Sequence, residues 1–125
     1  MILIKEFEFD AAHNLVKYHG KCERLHGHTY KLVVKLEGTP DSEGMVFDFV
    51  ELKRIVKEKV VDKFDHAYIN DIISQPTAEN IAVYVWNELV EVLKRSNCRL
   101  YEVEVWETKT SGVIYRGEAH ERLAE

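Results

Sequence analysis

Between residues 2 and 13 apolar and charged positions alternate. Phe7, Phe9, Ala11 and His13 fall on one side, and Glu6, Glu8 and Asp10 on the other. A period of two is that of a strand with one covered face. Residues 26–37 repeat the pattern, with His26, His28, Tyr30, Leu32, Val34 and Leu36 sharing a face. The stretch between them, 14–25, is a polar loop containing Gly20, and 38–44 (Gly-Thr-Pro-Asp-Ser-Glu-Gly) is a turn. The period then lengthens. Leu52, Ile55, Val56, Val60 and Phe64 form a helical stripe, with Asp48 as its expected N-cap and Glu51 three residues on. A second helix is expected after Pro76, capped by Thr77, burying Ile81, Val85, Leu89, Val92 and Leu93. Residues 99–107 and 112–118 read as two final strands joined by Thr108-Lys109-Thr110-Ser111. The order ββααββ predicts an α+β domain, an antiparallel four-stranded sheet with two helices on one face. No repeat or linker divides residues 1–125, which are expected to form a single domain with a frayed tail at 119–125.

Composition narrows the function classes. With 46% apolar and 31% charged residues the chain is an ordinary globular one. A net charge of -5 without a lysine or arginine block argues against a nucleic-acid partner. No apolar run is long enough for a membrane, and Met1-Ile2-Leu3-Ile4 gives way at once to Lys5 and Glu6, so neither a membrane anchor nor a signal peptide is expected. Two cysteines, Cys22 and Cys98, make no disulfide framework, and the expected compartment is the reducing cytoplasm.

The chemistry concentrates in Cys22-Glu23-Arg24-Leu25-His26-Gly27-His28, read with His13. Histidines one residue apart on a strand project from the same face. A neighbouring antiparallel strand ending at His13 brings a third imidazole beside them. The pair alone also suits a half-exposed polar strand; with His13 it has the make-up of a three-histidine zinc site with an open position. Cys22, just upstream, is a candidate nucleophile or base rather than a ligand. Asp65-His66 lies between the helices. One reading is a helix C-terminal feature. The other is a carboxylate orienting an imidazole, a relay that Cys22 would complete. Glu107 at the end of a strand is either a solvated carboxylate or an anchor for the edge of an amidine- or guanidine-like ring. Thr108 and Lys109 stand beside it as candidate substrate-binding residues, with Thr110 and Ser111 following. His19, His120, Cys98, Trp86 and Trp106 read as solvated or packing residues.

Seven segments together resemble the 6-pyruvoyl-tetrahydropterin synthase family. They are Phe9-Asp10-Ala11-Ala12-His13, the Cys22 to His28 run, Phe47-Asp48-Phe49 with Leu52-Lys53, Asp65-His66, Pro76-Thr77-Ala78-Glu79-Asn80, Trp106-Glu107-Thr108, and Tyr115-Arg116-Gly117-Glu118. They stand in family order over nearly the whole chain. The three residues between Cys22 and His26 match the family's 6-carboxytetrahydropterin synthases of queuosine biosynthesis. Animal pyruvoyl-type synthases have a longer gap, and some archaeal relatives put glutamate in the cysteine's role. The resemblance implies zinc on His13, His26 and His28, proton transfer by Cys22, Asp65 and His66, and Glu107 as the pterin anchor. It implies conversion of 7,8-dihydroneopterin triphosphate to 6-carboxytetrahydropterin, acetaldehyde and triphosphate, with Lys109, Thr110 and Ser111 as candidates for holding triphosphate. It also implies the tunnelling-fold barrel built by a homo-oligomer, a trimer-based hexamer with sites at subunit interfaces. Two alternatives use the same residues: a pyruvoyl-type synthase or dihydroneopterin side-chain lyase, and a zinc- or pterin-binding protein without turnover.

Overall fold

A computed structural model describes residues 1–16, 19 and 24–118. The expected role of Cys22 and the expected fraying of residues 119–125 lie outside the described residues. Strand β1 (Ile2–His13) pairs antiparallel with β2 (His26–Gly38), β2 with β4 (Cys98–Trp106), and β4 with β5 (Gly112–Tyr115). Alternation sets the faces. Phe7, Phe9, Ala11, Tyr30, Leu32, Val34, Leu36, Val103 and Val105 are buried in one core with residues of both helical segments. The opposite face carries charge, including Lys35 bridging Glu102 and Glu104 at 2.7 Å each.

The four-stranded antiparallel sheet requires a correction. A fifth strand, β3 (Ala67–Tyr68), joins parallel to β1 at Ala11 and Ala12, so the sheet is mixed, in the order β3-β1-β2-β4-β5. Two residues are too short to show a period, and only the long-range pairing makes them a strand. The last strand is also shorter than expected, ending at Tyr115. Beyond it the chain turns through Gly117 at φ +83°, where a Cβ would lie 2.8 Å from the Trp86 ring.

The first helical segment matches its stripe. Helix α1 (Phe49–Val56) continues through a π-helical turn, Lys57–Val61, into α2 (Asp62–Phe64). Asp48 Oδ2 accepts from the Glu51 N–H at 3.0 Å, which is the expected cap. Helix α3 (Ala78–Leu89) starts at Thr77, whose Oγ1 accepts from the Asn80 N–H at 3.1 Å. Ile81, Val85 and Leu89 are buried on it; Leu93 is buried and Val92 half-buried in the turn that follows. Beyond Ala11 and Ala12, the outer edge of β1 has no strand partner among the described residues. No helix among them is long and apolar enough to cross a membrane.

Candidate metal and acid–base site

The register of β1 on β2 makes the site. His13 lies directly opposite His26, and Ala11 opposite His28. All three imidazoles therefore stand on the core face at one end of the sheet. Their rings sit 4.7 to 5.3 Å apart, centroid to centroid. One ligand atom from each comes within 4.8 Å of the others. Tyr30, fully buried, stands edge-on to His13 and His28 and stacks on Phe9 at 5.2 Å, a rigid floor beneath the cluster.

The hydrogen bonds decide which nitrogens face inward. His13 is only 2% exposed, and its Nδ1 lies 2.8 Å from the Pro76 carbonyl oxygen. A carbonyl only accepts, so Nδ1 carries the proton and donates. His26 Nδ1 donates to the Arg24 carbonyl at 2.9 Å in the same way. In the neutral rings both Nε2 atoms then present lone pairs, and they stand 3.1 Å apart. Glu107 Oε1 adds an acceptor 3.3 Å from His13 Nε2. Converging acceptors of this kind are stable around a cation or a shared proton. Imidazole nitrogens oriented through their far N–H to backbone carbonyls are the donor set of a transition-metal centre. The residues fit such a metal.

Glu107 follows β4, and the Ser111 carbonyl accepts from its N–H at 3.0 Å, which closes the turn to β5. Its side chain, 30% exposed, borders two spaces. One is a cavity of about 270 Å³ shared with Thr77, Glu79 and Ser111. The other is a hollow of about 530 Å³ shared with His28, Lys31, Thr108 and Lys109. Thr108 and Lys109 thus share a hollow with Glu107 and with His28 of the imidazole cluster.

Asp65 and His66 meet each other, with Oδ2 3.2 Å from Nδ1. They do not join the three imidazoles within one chain. They form a second cluster with Asp10 on the far side of β1, and His66 is 79% exposed. The Asp10 backbone N–H donates to Asp65 Oδ1 at 3.0 Å and is the main reason the Asp65 carboxyl is held below its ordinary range; the bond with His66 adds to it. A hollow of about 600 Å³, lined by Asp10, Gly27, His28, Thr29, His66 and Tyr68, runs from this pair to the strand carrying the ligand-type histidines.

Sequence reasoning missed three contributors. Pro76 was legible only as a helix-start signal, yet its carbonyl orients His13. Tyr30 read as core and Asp10 as a polar strand position. Nothing local marks a backbone carbonyl as the partner of a residue 63 positions away.

The model of the family described as 6-pyruvoyl tetrahydropterin synthase matches residues 2–118. The chain is 39% identical to the 6-carboxy-5,6,7,8-tetrahydropterin synthase of Haemophilus influenzae, over 90% of this chain and 96% of the relative. It is 36% identical to the 6-pyruvoyl tetrahydrobiopterin synthase of Dictyostelium discoideum, over 94% and 97%. Among solved structures it superposes on the 6-pyruvoyl tetrahydropterin synthase of Caenorhabditis elegans with a TM-score of 0.81 at 32% identity, covering 94% and 95% of the two chains.

Proposed function

The chain belongs to the 6-pyruvoyl tetrahydropterin synthase family, and from that premise we propose that it is a zinc-dependent lyase of the 6-carboxytetrahydropterin synthase type. Its substrate in this reading is 7,8-dihydroneopterin triphosphate. With one water this yields 6-carboxytetrahydropterin, acetaldehyde and triphosphate, a step toward queuosine. The observation that carries the reading is the convergence of His13, His26 and His28, with the far nitrogens of His13 and His26 tied to carbonyls.

In this proposal His13, His26 and His28 hold zinc. Zinc bound there supplies Lewis acidity to the side-chain hydroxyl oxygens of the substrate, so the neighbouring C–H protons leave more easily. Glu107 accepts from the ring N–H and exocyclic amino group of the pterin, two donors side by side that one carboxylate can meet. Thr108 and Lys109, which line the hollow shared with Glu107 and His28, contact the substrate's charged arm in this reading. Cys22 takes and returns a proton as thiolate, and His66, oriented by Asp65, is its partner acid and base. The compartment is one that keeps this thiol reduced, the cytoplasm.

Asp65 and His66 lie apart from the imidazoles in one chain, so the complete site in this reading is assembled between subunits. The outer edge of β1, which beyond Ala11 and Ala12 has no strand partner among the described residues, and the short β5 at the opposite edge suit closure of a homo-oligomeric barrel, in the proposed form a trimer-based hexamer. The Dictyostelium discoideum and Caenorhabditis elegans relatives favour a second reading, a pyruvoyl-type synthase using the same groups. Incubating the zinc-loaded protein with dihydroneopterin triphosphate and weighing the products separates them. The carboxy product with acetaldehyde supports the first reading. The pyruvoyl product supports the second, and recovery of unchanged substrate leaves only a binding protein.

A further inference from the structure

His66 is one of two described residues other than glycine in the left-handed region, at φ +59°. That conformation is rare for a residue with a Cβ and persists where the surroundings over-determine it. Here one strand residue does so. The Asp10 carbonyl accepts the His66 N–H at 2.6 Å, while the Asp10 N–H donates to Asp65 Oδ1 at 3.0 Å. The two bonds bracket the pair from both sides of one peptide position, and β3 starts at the next residue.

The Asp10 side chain is engaged as well. It lies directly opposite Thr29 in the ladder, and Thr29 Oγ1 donates to Asp10 Oδ1 at 2.6 Å. Thr29 is the neighbour of His28. Besides the backbone ladder, this side-chain hydrogen bond ties the strand position that holds Asp65 and His66 to the strand that carries His26 and His28.

We propose that Asp10 is the positioning residue of the Asp65–His66 pair: its backbone clamps both members, and its bond with Thr29 holds that clamp in place against the histidine-bearing strand. Asp10 is not a catalytic residue in this account. It acts through His66, so the inference rests on the acid–base role proposed for that residue.

The side-chain bond can be tested without touching the backbone. In the zinc-loaded enzyme, Asp10→Ala and Thr29→Val are each expected to lower kcat for dihydroneopterin triphosphate about tenfold, since small displacements of a positioned group are costly. KM, zinc content and thermal midpoint should stay near wild type. Asp10→Asn keeps an oxygen that accepts from Thr29, and Thr29→Ser keeps the hydroxyl, so both should recover most of the loss. The Asp10→Ala/Thr29→Val double variant should be no slower than either single variant, because both remove one bond. The ¹⁵N signals of the His66 ring should move in the Ala and Val variants and return in the conservative ones. A kcat for Asp10→Ala within about twofold of wild type overturns the proposal. So does Asn behaving like Ala, or zinc lost in step with kcat, which would make the bond a plain strand tie. His66→Ala is the control for the premise. If it turns over normally, the acid–base reading itself fails; if it is slow while Asp10→Ala is not, only the positioning role fails.

Discussion

Removing the two imidazoles of β2 is the sharpest perturbation of the proposed metal centre. His13 is the wrong residue to delete. It is buried and donates to the Pro76 carbonyl, so truncation would strand a buried acceptor at a cost of about 1–3 kcal/mol unrelated to metal. His26 and His28 are only half-buried, and their loss leaves the His13 to Pro76 bond intact. The His26→Ala/His28→Ala variant keeps one imidazole of three and should hold no zinc. The magnitude follows from linkage. Zinc at roughly a hundred times its dissociation constant stabilises the wild type by about 2.7 kcal/mol. For a chain of 125 residues each kcal/mol raises the melting midpoint by about 4 °C, so the shift is about 10 °C. Melting with and without zinc, after chelator treatment and dialysis, reads it directly, with metal analysis alongside. About one zinc per chain and a shift of this size are expected for wild type, and neither for the variant. Zinc retained by the variant, or an equal shift in both proteins, would refute the three-histidine centre.

Three further outcomes are expected. Cys22→Ala should keep zinc and pterin binding yet lose about 10²- to 10⁴-fold in turnover, as removal of a general acid–base group does; zinc analysis showing the metal gone would make Cys22 a ligand instead. Glu107→Gln and Glu107→Ala should fold and keep zinc but bind a non-reacting pterin such as biopterin at least about tenfold more weakly, a ratio worth about 1.4 kcal/mol. Calorimetric titration with unchanged affinity in both would return Glu107 to the role of a solvated strand-end carboxylate. The Asp65 carboxyl titrates below its ordinary range in the fold, so it contributes stability that is present above the unfolded-state value of 3.8 and is lost as pH falls through the lower folded value. Asp65→Asn should thus be less stable than wild type near neutral pH, and denaturant melts should show the gap closing on acidification; a gap that widens toward low pH contradicts the Asp10 hydrogen bond as its cause.

Much of this site could be read from local pattern, because strand geometry alternates side chains regardless of what covers them. His13 had to share a face with Phe7 and Phe9, and His26 with His28 and Tyr30, once both segments were strands. The caps at Asp48 and Thr77 were equally local, since each bond spans three residues. The seven segments also carried the family, which the matched residues 2–118 bear out. Other features depend on contacts across long stretches of chain. Only the tertiary structure placed His13 opposite His26 and brought the Pro76 carbonyl to His13 Nδ1. It also added Ala67–Tyr68 as a parallel strand and carried Asp65 and His66 to Asp10 rather than to the imidazoles. Register and backbone acceptors leave no periodic trace in side-chain chemistry. Every residue has a carbonyl, and which one a buried ring nitrogen finds is decided only when the strands have paired.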